Sequence, residues 1–215
     1  MPHDIHLDKL IKRIAELRAG LQTNDPRHLA ARTGACCIEK GKQVGEFHLA
    51  LWEQEVVLDY PTFVAHEAQN GAGLPDLLQT MLLYYFTTSD GAPPAGKWIS
   101  FAELPNGRFY NQAFQGYSGK ELARAFGENL TAFIEAATQL GGERLHFGDA
   151  AFAFQALPRV PLLVVYWLGD EDFPSTGQVL FDESASHYLP TDACAVLGSM
   201  LTQRLIKAFR KKTAG

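Results

Sequence analysis

The chain has 215 residues, of which 47% are hydrophobic and 20% charged, enough apolar surface to bury a core and too much for a disordered segment. A net charge of −5 argues against general nucleic-acid binding, which needs a clustered basic surface. The basic cluster near the C-terminus (Arg204, Lys207, Arg210, Lys211, Lys212) falls at the end of a helical pattern, where cations offset the helix dipole. No apolar run reaches the ~20 residues of a membrane-spanning helix, and the N-terminal stretch is amphipathic, without the apolar core of a signal peptide. Cys36, Cys37 and Cys194 are wrongly spaced for a disulfide framework. The expectation is a cytoplasmic protein with reduced thiols that binds neither membrane nor nucleic acid.

In chain order, Asp4 is placed to cap a helix whose Leu7, Leu10, Ile11, Ile14 and Leu17 recur at helical spacing up to Gly20. This helix reads as an extension, residues 1–24, of one domain spanning 1–215. Asp25-Pro26 starts a short second helix, a capping carboxylate followed by proline at the first helical position, and Gly34 stops it. Residues 45–52 and 55–60 alternate as a hairpin around Glu53-Gln54. A helix then opens at Pro75 (LPDLLQTMLLYYF); it is apolar on nearly every side, so a central position is expected.

Residues 87–117 show little periodicity but carry Trp98, Phe101, Phe109, Tyr110, Phe114 and Tyr117. Connections of that length are unusual in compact domains and often serve as lids or binding loops. Ser118 to Glu121 has capping-box spacing before a helix to Phe126. A further helix over 128–140 carries Leu130, Phe133, Ile134 and Ala137 on one face and ends at Gly141-Gly142, and residues 144–147 make a short strand. Three apolar runs follow, 152–157, 162–168 and 178–181, broken by Pro158-Arg159-Val160-Pro161 and by the Gly169 to Pro174 turn. Links this short allow only antiparallel neighbours. Thr191 caps a last helix with a stripe through Ala193, Leu197, Leu201, Leu205 and Phe209. The sum is an α+β fold with a central antiparallel sheet and helices packed on it.

The candidate chemistry sits at the turns. Asp170-Glu171-Asp172, with Asp182 and Glu183 one strand later, can hold a hard cation through oxygen ligands or perturb one another for acid–base work. On that reading Asp170, Asp172 and Asp182 are the metal ligands. The competing reading is a solvated turn whose aspartates bond their own backbone. Arg159, stiffened by flanking prolines, can hold an anion or pair with those carboxylates, and pairing is the expectation. His48, His146 and His187 lack helical metal-site spacing and converge only by folding. Cys36-Cys37 has no local base to activate it and reads as buried thiols. Gly71-Ala72-Gly73 lacks the rest of a phosphate-binding loop.

Several motifs in order carry a resemblance: Arg32-Thr33-Gly34-Ala35, Trp98 with Phe101 and Glu103-Leu104-Pro105, Pro158-Arg159-Val160-Pro161, Asp170-Glu171-Asp172-Phe173-Pro174 and Leu180-Phe181-Asp182. From about residue 25 the chain resembles a domain-of-unknown-function family of mainly anaerobic prokaryotes. The resemblance implies a cytoplasmic role in anaerobic metabolism, near corrinoid or other metal-cofactor proteins. Relatives with iron–sulfur cysteine motifs differ from this chain, whose three cysteines cannot supply the four ligands of an ordinary cluster. The leading expectation is a non-catalytic accessory protein binding a small molecule or cofactor, with Arg32, Trp98, Phe101 and Arg159 lining its pocket. No particular cofactor is singled out. The alternatives are a metal-dependent hydrolase or lyase using the acidic cluster with His187 as base, and a protein–protein adaptor using the apolar surface around Trp98 and Phe101.

Overall fold

A computed structural model describes residues 2–213, with side chains from 11 to 211. The expected Asp4 cap and the side chains of Leu7, Leu10 and Lys212 lie outside the described residues. The class is α+β with antiparallel sheets, as expected. The strands divide between a four-stranded and a five-stranded sheet, and the chain clusters into two compact units.

The first unit comprises Met1–Pro93, Leu157–Arg159 and His187–Pro190. It contains helices α1 (Pro2–Leu21), α2 (Pro26–Thr33) and α3 (Asp76–Thr88) and strands β1 (Cys36–Gly41), β2 (Val44–Leu51), β3 (Gln54–Tyr60) and β4 (Ala65–Glu67). The strands form an antiparallel meander in sequence order. The expected hairpin is β2–β3, with Leu51 opposite Gln54. Phe47, Leu49, Leu51, Val56, Leu58 and Tyr60 point inward. Phe47 is the hub: its ring stacks on Phe63 at 6.0 Å and meets Phe86 of α3 edge-on at 4.9 Å.

Helix α3 is as buried as its composition requires, with Leu82, Leu83, Tyr85 and Phe86 fully enclosed. Of its buried polar residues, Thr80 bonds its own helix at the Asp76 carbonyl, whereas Gln79 replaces a missing strand. The Gln79 side chain accepts from Ala65 N–H at 2.9 Å and donates to the Ala65 carbonyl at 2.7 Å, as a neighbouring backbone would. Arg18 of α1 donates to the same side-chain oxygen and to the Phe63 carbonyl, tying α1 to this layer. Strand β1 was not expected. It is an edge strand with little burial on either face, so it carries no alternation. Cys36 is accordingly exposed and Cys37 half-buried, which corrects the reading of buried thiols.

The second unit comprises Pro94–Ala156, Val160–Ser186 and Thr191–Gly215. Its strands are β5 (Trp98–Ser100), β6 (Glu143–Leu145), β7 (Ala150–Leu157), β8 (Val160–Trp167) and β9 (Thr176–Asp182). They lie in the order β5-β9-β8-β7-β6. Helices α4 (Gly107–Gly116), α5 (Gly119–Phe126), α6 (Leu130–Gln139) and α7 (Thr191–Thr213) supply the rest. The core is aromatic: Phe101 stacks on Phe114 at 4.2 Å and both meet Phe181, while Phe133 stacks on Tyr166 at 4.9 Å. Helix α5 lies flush on β9, since a Cβ on Gly119 would sit 2.1 Å from the Gly177 carbonyl oxygen.

Residues 87–117 are therefore not a structureless lid. They hold β5, a 3₁₀ turn at Phe101–Glu103 and α4. A capping box does occur, but at Ser100–Glu103, where the Glu103 carboxylate accepts from the Ser100 N–H at 2.7 Å. The expected box at Ser118 is absent because its hydroxyl donates back to the Phe114 carbonyl. Thr191 likewise starts α7 with its hydroxyl donating to the Pro105 carbonyl. Among the described residues, no helix is long and apolar enough to cross a membrane.

Candidate functional site

Four discontinuous segments of the first unit gather polar groups at one corner: the end of α2, the end of α3 with residues 89–92, the Pro158-Arg159 turn, and His187-Tyr188. Local sequence explains each placement. Asp25 accepts from the Arg27 N–H at 2.8 Å, Pro26 begins α2, and Gly34 ends it in the left-handed region at φ 72°. Arg32 thus stands on the last turn of a well-capped helix.

Gly34 also makes room for Arg159. A Cβ there would lie 3.2 Å from Arg159 Nε and 3.7 Å from its Cγ. Gly91, at φ +87°, lies on Arg32, with a virtual Cβ 3.6 Å from both Cα and Cγ of that arginine. The strap around Gly91 is pinned from both sides. Asp90 Oδ1 accepts from the Ala92 N–H at 2.9 Å, Asp90 Oδ2 meets His187 Nδ1 at 2.6 Å, and the Tyr188 hydroxyl donates to the Ala92 carbonyl. Beneath it the Tyr85 hydroxyl donates to the Thr33 carbonyl, and the Tyr85 and Tyr188 rings lie 6.0 Å apart.

The electrostatics follow from these contacts. Burial pushes the Tyr85 hydroxyl pKa well up, against the opposing pull of the Arg159 N–H and charge, so Tyr85 stays a neutral donor. The hydrogen bond from His187, then that from the Ala92 N–H, holds the Asp90 carboxyl below its ordinary value. Asp90 is thereby committed to His187 and Ala92. Among the described residues neither Arg32 nor Arg159 has a carboxylate within ion-pair distance, and Arg32 Nε is buried without a hydrogen-bond partner. A recess of about 230 Å³ opens beside Arg32, lined also by Asn24, Asp25, His28 and Ala31.

A larger groove, about 780 Å³, runs from residue 22 to Pro61 past Cys37. The charges that line it sum to zero: Arg27 pairs with Glu39 at 2.7 Å, and Asp25 and Lys42 are of opposite sign. Volume alone makes it no better a site. The arginine corner offers uncommitted cationic donors in a part-dry setting, the arrangement that holds a carboxylate or phosphate through paired N–H···O bonds.

Of the residues singled out in the sequence, Arg32 and Arg159 both belong to the first unit, Arg32 beside Gly91 and Arg159 beside Gly34, whereas Trp98 and Phe101 belong to the second. Trp98 is half-buried against Ala151, Leu163 and Val165, and Phe101 is a 1% exposed core ring. Arg159 belongs to the first unit and the acidic turn to the second. Asp170 accepts from the Asp172 and Phe173 N–H groups at 2.9 and 2.8 Å, the solvated-turn arrangement. Asp182 is buried, and its oxygens accept from the N–H groups of Ala95 (2.8 Å), Gly96 (2.7 Å) and Ser184 (2.9 Å) and from the Ser184 hydroxyl. It has no oxygen left facing a cation, and among the described residues no three His, Cys, Asp or Glu side chains gather for a metal. His187, expected to serve the acidic turn as a base, has its ring on Asp90. Sequence reasoning missed Asp90; the Asp90-Gly91 pair after α3 is a turn signal that marks the strap but not its partner.

The model of a family described as a domain of unknown function, DUF3786, matches residues 25–204. The matched span includes all four segments of the corner and begins after α1. No curated protein and no solved structure matches the chain.

Proposed function

The chain belongs to the DUF3786 family, and we propose that it is a non-catalytic binding protein for a small anion, or for the anionic end of a cofactor, held between Arg32 and Arg159. One observation carries this reading: Arg32 Nε is buried with no acceptor. Leaving a buried donor unsatisfied costs about 1–3 kcal/mol, and a bound carboxylate or phosphate removes that cost. Gly34 and Gly91 agree with the reading: each adopts the left-handed region that favours glycine, φ +72° and +87°, and each has an arginine side chain packed beside it. A cytoplasmic accessory role in anaerobic metabolism agrees with the adjacent free thiols of Cys36 and Cys37, one of them exposed, which persist as thiols in reducing surroundings.

The test is thermal unfolding against phosphate, pyrophosphate, citrate, malate and nucleoside phosphates. A ligand at 100 times its Kd stabilises by about 2.7 kcal/mol, a rise in Tm of about 5–10 °C for a chain of this size. At least one anion class should produce that rise in the wild type and fail to in Arg32→Met and Arg159→Met. Arg32→Met without ligand should be as stable as wild type or more so, since it removes an unsatisfied buried donor. Equal anion shifts in the wild type and the Arg32→Met/Arg159→Met double variant would overturn the reading.

A further inference from the structure

The acidic turn lies at one end of the five-stranded sheet, where the 146–149 and 168–175 loops run side by side. The Asp149 N–H donates to the Tyr166 carbonyl at 3.0 Å, and the Leu168 N–H to Asp149 Oδ2 at 2.7 Å. The Gly169 N–H donates to Glu128 Oε2 at 3.1 Å, and a Cβ on Gly169 would touch the Phe173 carbonyl at 2.8 Å. These contacts tie the two loops together. Three apolar side chains stand out from it: Phe147 at 49% exposure, Leu168 at 37% and Phe173 at 71%. Single exposed apolar residues are ordinary, but three on adjoining, hydrogen-bonded turns mark an interaction site.

The rim decides the occupant. Glu128, Asp149, Asp170, Glu171 and Asp172 are all exposed, and neither loop contains a Lys or Arg. An anionic lipid surface or a nucleic acid would meet like charge. A second copy docked on a two-fold axis would set this patch against itself, acids facing acids. We infer that this end of the sheet docks a basic peptide segment of another protein, one carrying Lys or Arg beside an aromatic or Leu side chain. Phe147, Leu168 and Phe173 grip the apolar part while the carboxylates pair with the cations. The surface lies wholly in the second unit, so the inference stands apart from the anion site.

The experiment is fluorescence anisotropy with a labelled probe, Lys-Leu-Lys-Phe-Lys-Lys-Phe-Lys, and a control peptide with Glu at every Lys. The wild type should bind the basic probe at least tenfold more tightly than the control, with affinity falling as salt rises. Phe173→Ser and Asp172→Lys should each weaken binding about tenfold, since both side chains are exposed and neither supports the fold. Asp76→Lys, the same charge change on α3, should leave it unaltered. Failure of the wild type to prefer the basic probe overturns the inference, as does equal weakening by Asp76→Lys and Asp172→Lys. Sedimentation that shows wild-type dimers converted to monomers by Phe173→Ser overturns it in favour of a second copy.

Discussion

Asp182→Ala should lower the unfolding free energy by about 3–5 kcal/mol, measured by urea denaturation at neutral pH. The variant removes the acceptor of four hydrogen bonds and leaves the N–H groups of Ala95, Gly96 and Ser184 without it. The buried Ser184 N–H so abandoned costs about 1–3 kcal/mol, and the part-buried Ala95 and Gly96 N–H groups add less each. Asp182→Asn keeps one acceptor oxygen but turns an amide NH2 toward a backbone donor, so it should lose about half as much. The same contacts predict a pH dependence. Burial alone would raise the Asp182 pKa, but the hydrogen bonds from Ser184 and from the Ala95 and Gly96 N–H groups outweigh it and hold the carboxyl below its ordinary value. A carboxylate depressed in the folded state contributes stability above its unfolded pKa, about 3.9, and that contribution is lost as pH falls through the folded value. Wild-type stability should therefore drop below about pH 4, and Asp182→Asn should remove this part of the slope.

Gln79→Leu should cost about 2–4 kcal/mol in the same assay, despite placing a good helix former on an apolar helix. Leucine matches the burial but supplies no partner for the Ala65 N–H, bonded to the glutamine amide, nor for Arg18, although the Ala65 carbonyl keeps the Leu74 N–H. Leaving those groups dry costs more than the added apolar burial returns. Equal stability of the variant and wild type would show that water serves β4 as well as the side chain does.

These two residues also show where sequence reasoning stops. The strands β7, β8 and β9 were legible because β-branched and aromatic runs are cut by Pro and Gly at strand length, and β8 is buried along nearly its whole span. Helix α2 was legible to the residue, since its Asp, Pro and Gly each have one conformational use there. Strand β1 was not, because an edge strand open to water has no apolar face to betray it. Helix α4 was hidden by Phe109 and Tyr110, aromatics that point outward at 84% and 64% exposure, and by glycines at both of its ends. Nothing in the sequence marks Gln79, whose role appears only once β4 is beside it.

The site divides the same way. Arg159 drew notice through its flanking prolines and Arg32 through the Arg-Thr-Gly-Ala motif, but nothing in the chain says that both lie beside glycines in one corner. Asp90 and His187 are 97 positions apart, and no spacing rule joins residues that meet only through folding. The carboxylates misled for a related reason. Their clustering in sequence suggested a cation, whereas Asp182 turns inward to backbone donors and Asp170 closes its own turn.

The most direct measurement is native mass spectrometry of freshly purified wild type beside the Arg32→Met/Arg159→Met variant, with a small phosphate or carboxylate such as pyrophosphate or citrate titrated into both. The anion site predicts one bound anion per chain in the wild type, saturating with added ligand and lost in the variant. Two spectra with the same adducts at every concentration would contradict it.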